Sequence, residues 1–474
     1  MGGFFVRWSK VWNRRLQSIL AISLLSTYVL SFLFEGQILY GLLDMNGIPA
    51  SGYSRLAMVA HLLGLFTSGF FIHSTLQARF VMVFGLSVAL LSLVPFLFSP
   101  SLLWQTGLFV GGYTSGAAIT AWGYFLRSFS EKRERFKTCA DVLIVSNILM
   151  ILINVISTQL TPIAGIILVM LALMIGMVLT MRFKESPGSQ EYELYQSKVT
   201  SDLFKAVLLL SLFIAVFTIN SGLMYVVINP AFQHSTALVG WYWAVPYLIA
   251  LVVMRNQNLT FKYSRMLYLG MAMMMGAFIA FMLLGRSSLD YLVVDTLLLG
   301  ACGIFDLFWW SILGDMLDYA ENPSLVFGVG LSANVLGVLS GGLIGTVAQS
   351  TQILTAEITV MGLTIVCITL GMLPVLNRHL VVLLKSHQYL MAYDAMDQNQ
   401  QSAVLYQAAA LEPLTSREQE VLEEILLGKS NREIATSLYI TENTVKSHAK
   451  KIYSKYVVHS RAELISFLLK ENDR

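Results

Sequence analysis

Leu414 to Lys470 reads LTSREQEVLEEILLGKSNREIATSLYITENTVKSHAKKIYSKYVVHSRAELISFLLK, and its punctuation is helical throughout. Thr415-Ser-Arg-Glu418 is a capping box, in which a hydroxyl and a carboxylate three residues apart satisfy each other's backbone amides. Behind it Val421, Leu422, Ile425 and Leu426 form one apolar stripe at helical spacing. Gly428 ends that helix and Lys429 follows it. A short helix from about 431 to 438 buries Ile434, Ala435 and Leu438, and Thr441 caps a third that runs to about Tyr456. Ser460-Arg-Ala-Glu463 is a second capping box, opening a fourth helix with Leu464, Ile465 and Leu468 apolar.

The third helix is two-faced. Val445, Ala449, Ile452, Tyr453 and Tyr456 fall on one side, and Lys446, Ser447, Lys450, Lys451 and Ser454 on the other. Residues 442–456 hold four bases and one acid, whereas 413–474 hold ten and nine. Positive charge is therefore gathered on one helix, the pattern expected of an element that meets phosphates and enters a groove.

Upstream the composition changes completely. The 474-residue chain is 56% hydrophobic and 12% charged, with mean hydropathy +0.67. A soluble domain carries about 25% charged residues. The 19 Lys and Arg before residue 378 lie outside the long apolar runs or at their ends, and the other 12 of the 31 follow. A helix needs about 20 apolar residues to cross a bilayer. Such runs fall near 16–35, 56–76, 80–98, 102–126, 141–160, 163–182, 203–228, 237–254, 264–284, 289–313, 326–347 and 357–377, which makes 12 spans. The first resembles a signal peptide in its basic flank, but it is long enough to span and no small-residue cleavage site follows. With the N-terminus inside, 17 basic residues fall on the inner side and only Arg55 and Arg286 on the outer. An even count puts the C-terminus inside too. One inner loop departs, holding Asp315, Asp318 and Glu321 and no base.

Two domains and a linker are expected: a membrane domain over 1–377, a partly helical linker over 378–412, and a DNA-binding domain over 413–474. Cys139, Cys302 and Cys367 are far apart and form neither a metal-spaced set nor a disulfide framework. Gly112-x-x-x-Gly116 and the small residues of 328–345 read as close helix packing, and His61 as a packed histidine. No strand precedes these glycines, so they are not a nucleotide loop.

Two six-span halves joined by the polar loop 183–202, with both ends inside, resemble the major facilitator superfamily over about residues 10–377. Other twelve-span folds fit the same pattern. The family's basic, glycine-containing loop between spans 2 and 3 should fall near HSTLQARF (73–80), where only Arg79 matches it, and the loop RNQNLTFKYSR (255–265) is also a poor match. These departures put active transport in doubt more than the fold. In a facilitator-like bundle spans 1, 4, 7 and 10 line the cavity, which makes Asp306, Asn220, Tyr113, Trp122 and Glu35 candidate ligand contacts. Asp295 joins them, because 11 residues before Asp306 it lies within about 20° of it on a helix.

The tail resembles the LuxR-type helix-turn-helix over 413–469, through LTSREQEVL, NREIA, TENTVKSHAKKIYSK and HSRAEL. The resemblance implies base reading by Lys446, Ser447 and Lys450 and backbone contact by Thr444 and His448; Lys451, on the same exposed side, joins them as a phosphate contact. It also implies dimerisation through Ala462, Leu464, Ile465 and Leu468 of the fourth helix. One departure stands out. The family usually ends the recognition helix with Leu-Gly or a similar pair, and this chain has Tyr456-Val457. Valine disfavours the left-handed conformation of that cap, so an altered exit is expected.

The fold class expected is therefore all-α: a 12-helix transmembrane bundle of two six-helix halves with a C-terminal four-helix LuxR-type domain. Residues 378–412 are too few for a receiver domain. Paired catalytic groups, metal clusters and nucleotide loops are missing, so neither an enzyme nor a cofactor is expected. The reading is a one-component regulator in the bacterial inner membrane, with both termini cytoplasmic. Its partners would be lipid, a small-molecule ligand and, as a homodimer, double-stranded promoter DNA. A facilitator-type transporter with a regulatory tail and a silent scaffold are the alternatives.

Overall fold

Apolar runs of this length leave the backbone one solution in lipid, the helix, because every N–H and C=O must be satisfied within the segment. The computed structural model describes residues 2–34, 36–49, 51–183, 200–232, 242, 244–257, 263–320, 322–351, 355–394, 413–426, 429, 431–458, 461, 464 and 467–468. The membrane helices are α1 (Gly2–Tyr28), α2 (Gln37–Met45), α3 (Ser51–Ser68), α4 (Thr75–Ser92), α5 (Leu102–Phe129), α6 (Arg135–Gln159), α7 (Pro162–Met181), α8 (Thr200–Leu223), α9 (Ala244–Arg255), α10 (Tyr263–Leu283), α11 (Ser288–Met316), α12 (Pro323–Ser350) and α13 (Thr355–Asp394). Wide π turns continue α1 over Val29–Leu33 and α8 over Met224–Ile228.

Among the described residues nine segments are long and apolar enough to cross a membrane, with α1 and α2 counting as one. The other three expected spans correspond to α3, α5 and α9. Helix α9 has only 12 residues. Helix α5 owes its lower hydropathy to its glycines, serines and threonines, and it is buried along most of its length. A helix wedged among others needs small residues more than lipid-facing ones. Span 2 is expected at 56–76, but α3 runs Ser51–Ser68. The apolar run continues through Phe70 and Phe71, which are exposed after the helix has ended. Just past its end a distant side chain takes up a freed carbonyl: Asn322 Nδ2 donates to the Gly69 carbonyl at 2.8 Å.

Glycines set the closest approaches. A Cβ at Gly112 would lie 2.8 Å from the Ala57 carbonyl oxygen, and one at Gly116 2.5 Å from that of His61, so α5 lies directly on α3. Gly337 and Gly341 bring α12 as close to α8: a Cβ at Gly337 would lie 2.3 Å from the Ala215 carbonyl oxygen and one at Gly341 2.0 Å from that of Ile219. Packing of α3 on α12 and of α6 on α9 joins the first six spans to the last six.

The acidic loop that breaks the charge pattern is answered by the basic loop after α5. Arg135 pairs with Asp318 at 2.7 Å and donates to the Gly314 carbonyl at 3.1 Å. Arg127 donates to the Ala320 carbonyl at 3.1 Å. Glu321 lies outside the described residues.

The chain divides into two compact units, Met1–Gln190 with Val207–Leu373, and Glu191–Ala206 with Pro374–Arg474. The second holds α14 (Ser416–Leu426), α15 (Asn431–Ser437) and α16 (Glu442–Lys455). Its core is Val421, Leu422, Ile425, Leu426, Ile434, Ala435, Val445, Ala449, Ile452, Tyr456, Leu464 and Leu468.

Candidate ligand cavity and nucleic-acid interface

A cavity of about 460 Å³ lies within the membrane bundle, walled by α1, α2, α3, α5 and α6 on one side and α8, α9, α11 and α12 on the other. Both π turns reach it, through Val29 and Leu30 in one half and Met224 in the other. Such turns re-aim side chains and recur at functional sites. Among its described lining residues Asp306 is the only carboxylate, and there is no lysine or arginine. The Tyr247 hydroxyl donates to Asp306 Oδ2 at 2.8 Å, and the Asn334 amide also bonds that carboxylate. His61 lines the wall with Nδ1 3.0 Å from Ser115 Oγ.

The other expected ligand contacts are placed differently. Asp295 is buried, bonded by Tyr291, and does not line the cavity. Asn220 is fully buried on α8 away from the cavity, with neither amide atom partnered. Tyr113 shares a hydrogen bond with Thr67 at 3.0 Å and lies outside the wall. Trp122 donates to Ser18 Oγ at 2.7 Å and sits behind Trp310, which does line the cavity, with ring centroids 6.1 Å apart. Glu35 lies outside the described residues. The spans chosen by family position all reach the cavity wall, as do several others, but helix position alone does not give side-chain direction. The residues missed include Tyr247, Asn334, Asn147 and Asn154. A signal existed for the last two, since amides seven apart in an apolar span share a face.

In the tail the capping box is formed: Thr415 N donates to Glu418 at 2.9 Å and Glu418 N to Thr415 Oγ1 at 3.3 Å. Thr441 Oγ1 caps α16 by accepting from Thr444 N at 3.2 Å. Lys446, Ser447, Lys450 and Lys451 stand exposed on one face of α16. Lys446 pairs with Glu442 at 3.1 Å, one turn back. Thr444 is half-buried, with its hydroxyl 2.8 Å from that of Thr441, and His448 is half-buried with Nδ1 unpartnered. Lys455 does not belong to the exposed charge. It is turned inward onto Glu418 at 2.7 Å and onto the Pro413 carbonyl at 2.8 Å. Burial raises the Glu418 carboxyl, but Lys455 and the amide and hydroxyl of Thr415 outweigh it and hold the group down to about 2.

Residues 412–468 match the family described as bacterial regulatory proteins, luxR family. The tail is a luxR-type helix-turn-helix domain. The same segment is 46% identical over 54 residues to the CsgBAC operon transcriptional regulatory protein of Escherichia coli (strain K12), which is 11% of this chain and 25% of that protein. It is 48% identical over 59 residues to the uncharacterized transcriptional regulatory protein YhcZ of Bacillus subtilis (strain 168), 12% of this chain and 28% of the relative. The chain thus spans only about a quarter of the length of these relatives. The membrane part has the facilitator fold. It superposes on the human organic anion transporter MFSD10 (TETRAN) with TM-score 0.59 and 13% identity, covering 77% of this chain and 99% of that one. For the proton:xylose symporter XylE the TM-score is 0.60 at 13% identity, covering 77% and 94%.

Two details of the luxR-type domain correct the expectations. Val457 takes φ +55°, so α16 does end in the left-handed cap despite the valine. Val458 N bonds to Tyr453 O at 2.9 Å and Val457 N to Ser454 O at 3.2 Å, the pair of bonds that defines a Schellman end. Leu464 and Leu468 are buried in the domain's own core, so neither is available as a dimer contact. Ala462 and Ile465 lie outside the described residues.

Proposed function

We propose that the chain is a membrane-bound one-component transcription regulator, in which the bundle binds a small molecule and the tail binds promoter DNA. The observation that carries this reading is a luxR-type domain, with Lys446, Lys450 and Lys451 exposed on one helix, in one polypeptide with a facilitator-fold bundle holding a cavity of about 460 Å³. Lys446, Ser447 and Lys450 would read base edges, and Thr444, His448 and Lys451 would hold the backbone. A homodimer on DNA would use a surface other than Leu464 and Leu468. Helix α13 runs from the membrane segment to Asp394 and is the route by which the bundle's state would bias the tail.

Both termini would be cytoplasmic in a bacterial inner membrane, as the charge bias supports. Reporter fusions after residues 190 and 400 should both read cytoplasmic; an external reading at 400 would separate the tail from DNA and end the proposal. Chromatin immunoprecipitation of the full chain should recover discrete promoters, and their transcripts should change when the gene is deleted.

The second reading is a transporter with a regulatory tail, favoured by the cavity between the two halves. Against it, Arg79, the one base in its loop that fits the transport family, is bonded to the Phe183 carbonyl at 2.9 Å within the first half. Uptake or efflux by proteoliposomes, with no promoter response to deletion, would reverse the choice.

A further inference from the structure

We infer that the cavity is built for a small organic cation, an amine whose ammonium group pairs with Asp306. The inference rests on the sensing reading above, since it names the class of molecule sensed. A lone ionised carboxylate facing a cavity within a bilayer is costly unless it takes up a proton or meets an opposite charge. Asp306 is the only carboxylate among the described lining residues, and no lysine or arginine faces it. Its two bonds come from neutral donors, the Tyr247 hydroxyl at 2.8 Å and the Asn334 amide. They hold the group in place without neutralising it. An ionised carboxylate has about four acceptor positions, so two donors leave room for a ligand.

The opposite wall also offers acceptors. Asn154 is 8% exposed, lines the cavity and presents an unpartnered Oδ1. Ser26, also 8% exposed and in the wall, has an unpartnered Oγ. Each of these oxygens can accept a ligand N–H. Aromatic faces complete the set: Phe34, Phe217, Tyr291, Phe305 and Trp310 all line the space. Trp310 lies one turn from Asp306 on α11, and aromatic rings attract cations through their faces. An anionic ligand would meet a negative charge with no lysine or arginine among the described lining residues to balance it. The volume of about 460 Å³ lies within the range of small-molecule pockets, roughly 300–1,000 Å³.

The polar groups are divided between the halves, with Ser26 on α1 and Asn154 on α6 in one, and Tyr247, Asp306 and Asn334 on α9, α11 and α12 in the other. An amine touching both biases how the halves sit, which is what a sensed ligand must do.

The test uses full-length protein in detergent, without DNA, and a panel of benzylamine, tryptamine and butylamine. Each amine is matched with its alcohol and carboxylate isosteres, and binding is read by thermal shift and equilibrium dialysis. Amines should bind at least tenfold more tightly than their alcohols, and carboxylates should not bind. Asp306→Asn should remove the amine preference, bringing the ratio of amine to alcohol affinity to about one. Should that variant not fold, Trp310→Leu keeps the charge and should weaken amines several-fold more than alcohols. Failure of every amine to bind, equal binding of amines and alcohols, preference for carboxylates, or an unchanged preference in Asp306→Asn would each overturn the assignment. Amine binding without any promoter response would overturn the regulator reading and leave the cation site standing.

Discussion

Val457 carries a backbone conformation that costs an L-residue about 1–2 kcal/mol, and a β-branched one most of all. Its side chain is 64% exposed, so it gains little from contacts in return. Val457→Gly should therefore stabilise the tail by about 1 kcal/mol. Hydrogen exchange on the full chain should then slow about fivefold across 442–458; unchanged or faster exchange would show that the valine is not strained there. Tyr439, with φ +55° and 95% exposure, is the same case at the end of α15. Glu418 works in the other direction. Its carboxyl is held at about 2 against an ordinary 4.5, so it binds its proton less readily folded than unfolded. The stability it contributes is complete above pH about 4.5 and is lost as pH falls toward 2. Pepsin cleavage of the tail should rise through that window and rise less steeply in Glu418→Gln. Lys455→Met strands the buried carboxylate and should cost about 3 kcal/mol at neutral pH.

The element that most rewards dissection is α16. Periodicity alone separates its core face from its charged face, and Val445, Ala449 and Ile452 are indeed buried. The inward turn of Lys455 was not legible, because its partner Glu418 lies 37 residues earlier and only the packing of α14 against α16 brings them together. The same limit explains α3. Its apolar run passes through Phe70 and Phe71, while the bond to the carbonyl just past the helix end comes from Asn322. Local pattern gives an element its type and its faces, and distant partners meet it at its ends. On the exposed face, Lys450→Ala should weaken binding to the specific promoter by about 1–3 kcal/mol and relax preference at one base pair. Lys451→Ala should weaken all sequences alike and reduce the salt slope by about one. Fluorescence anisotropy at several salt concentrations separates the two, and wild-type binding by both variants would remove α16 as the reading helix.

For the whole molecule, the twelve-helix plan could be read from hydropathy and charge because lipid leaves few alternatives. The cavity could not, except for Asp306: which residues face it depends on how two halves meet, and no single helix carries that information. Asp141 marks one such meeting point. On α6 it accepts from Arg15 of α1 at 3.1 Å and also pairs with Arg255 of α9, so one carboxylate ties the first half to itself and to the second. Glu134 pairs with the same Arg15 at 3.3 Å, and among the described residues it has no ion pair with the second half. If promoter output follows the arrangement of the halves, loosening this tie should shift it without touching the cavity. Asp141→Asn and Arg255→Gln should move output in the absence of added ligand in the same direction, by about fivefold or more. Glu134→Gln, which leaves the joint between halves intact, should stay near wild type. The comparison is made with a reporter at matched membrane levels of all four proteins. If Glu134→Gln changes output as much as Asp141→Asn, the effect belongs to folding of the first half. If none of the three changes it, the relative position of the halves is not what the promoter responds to.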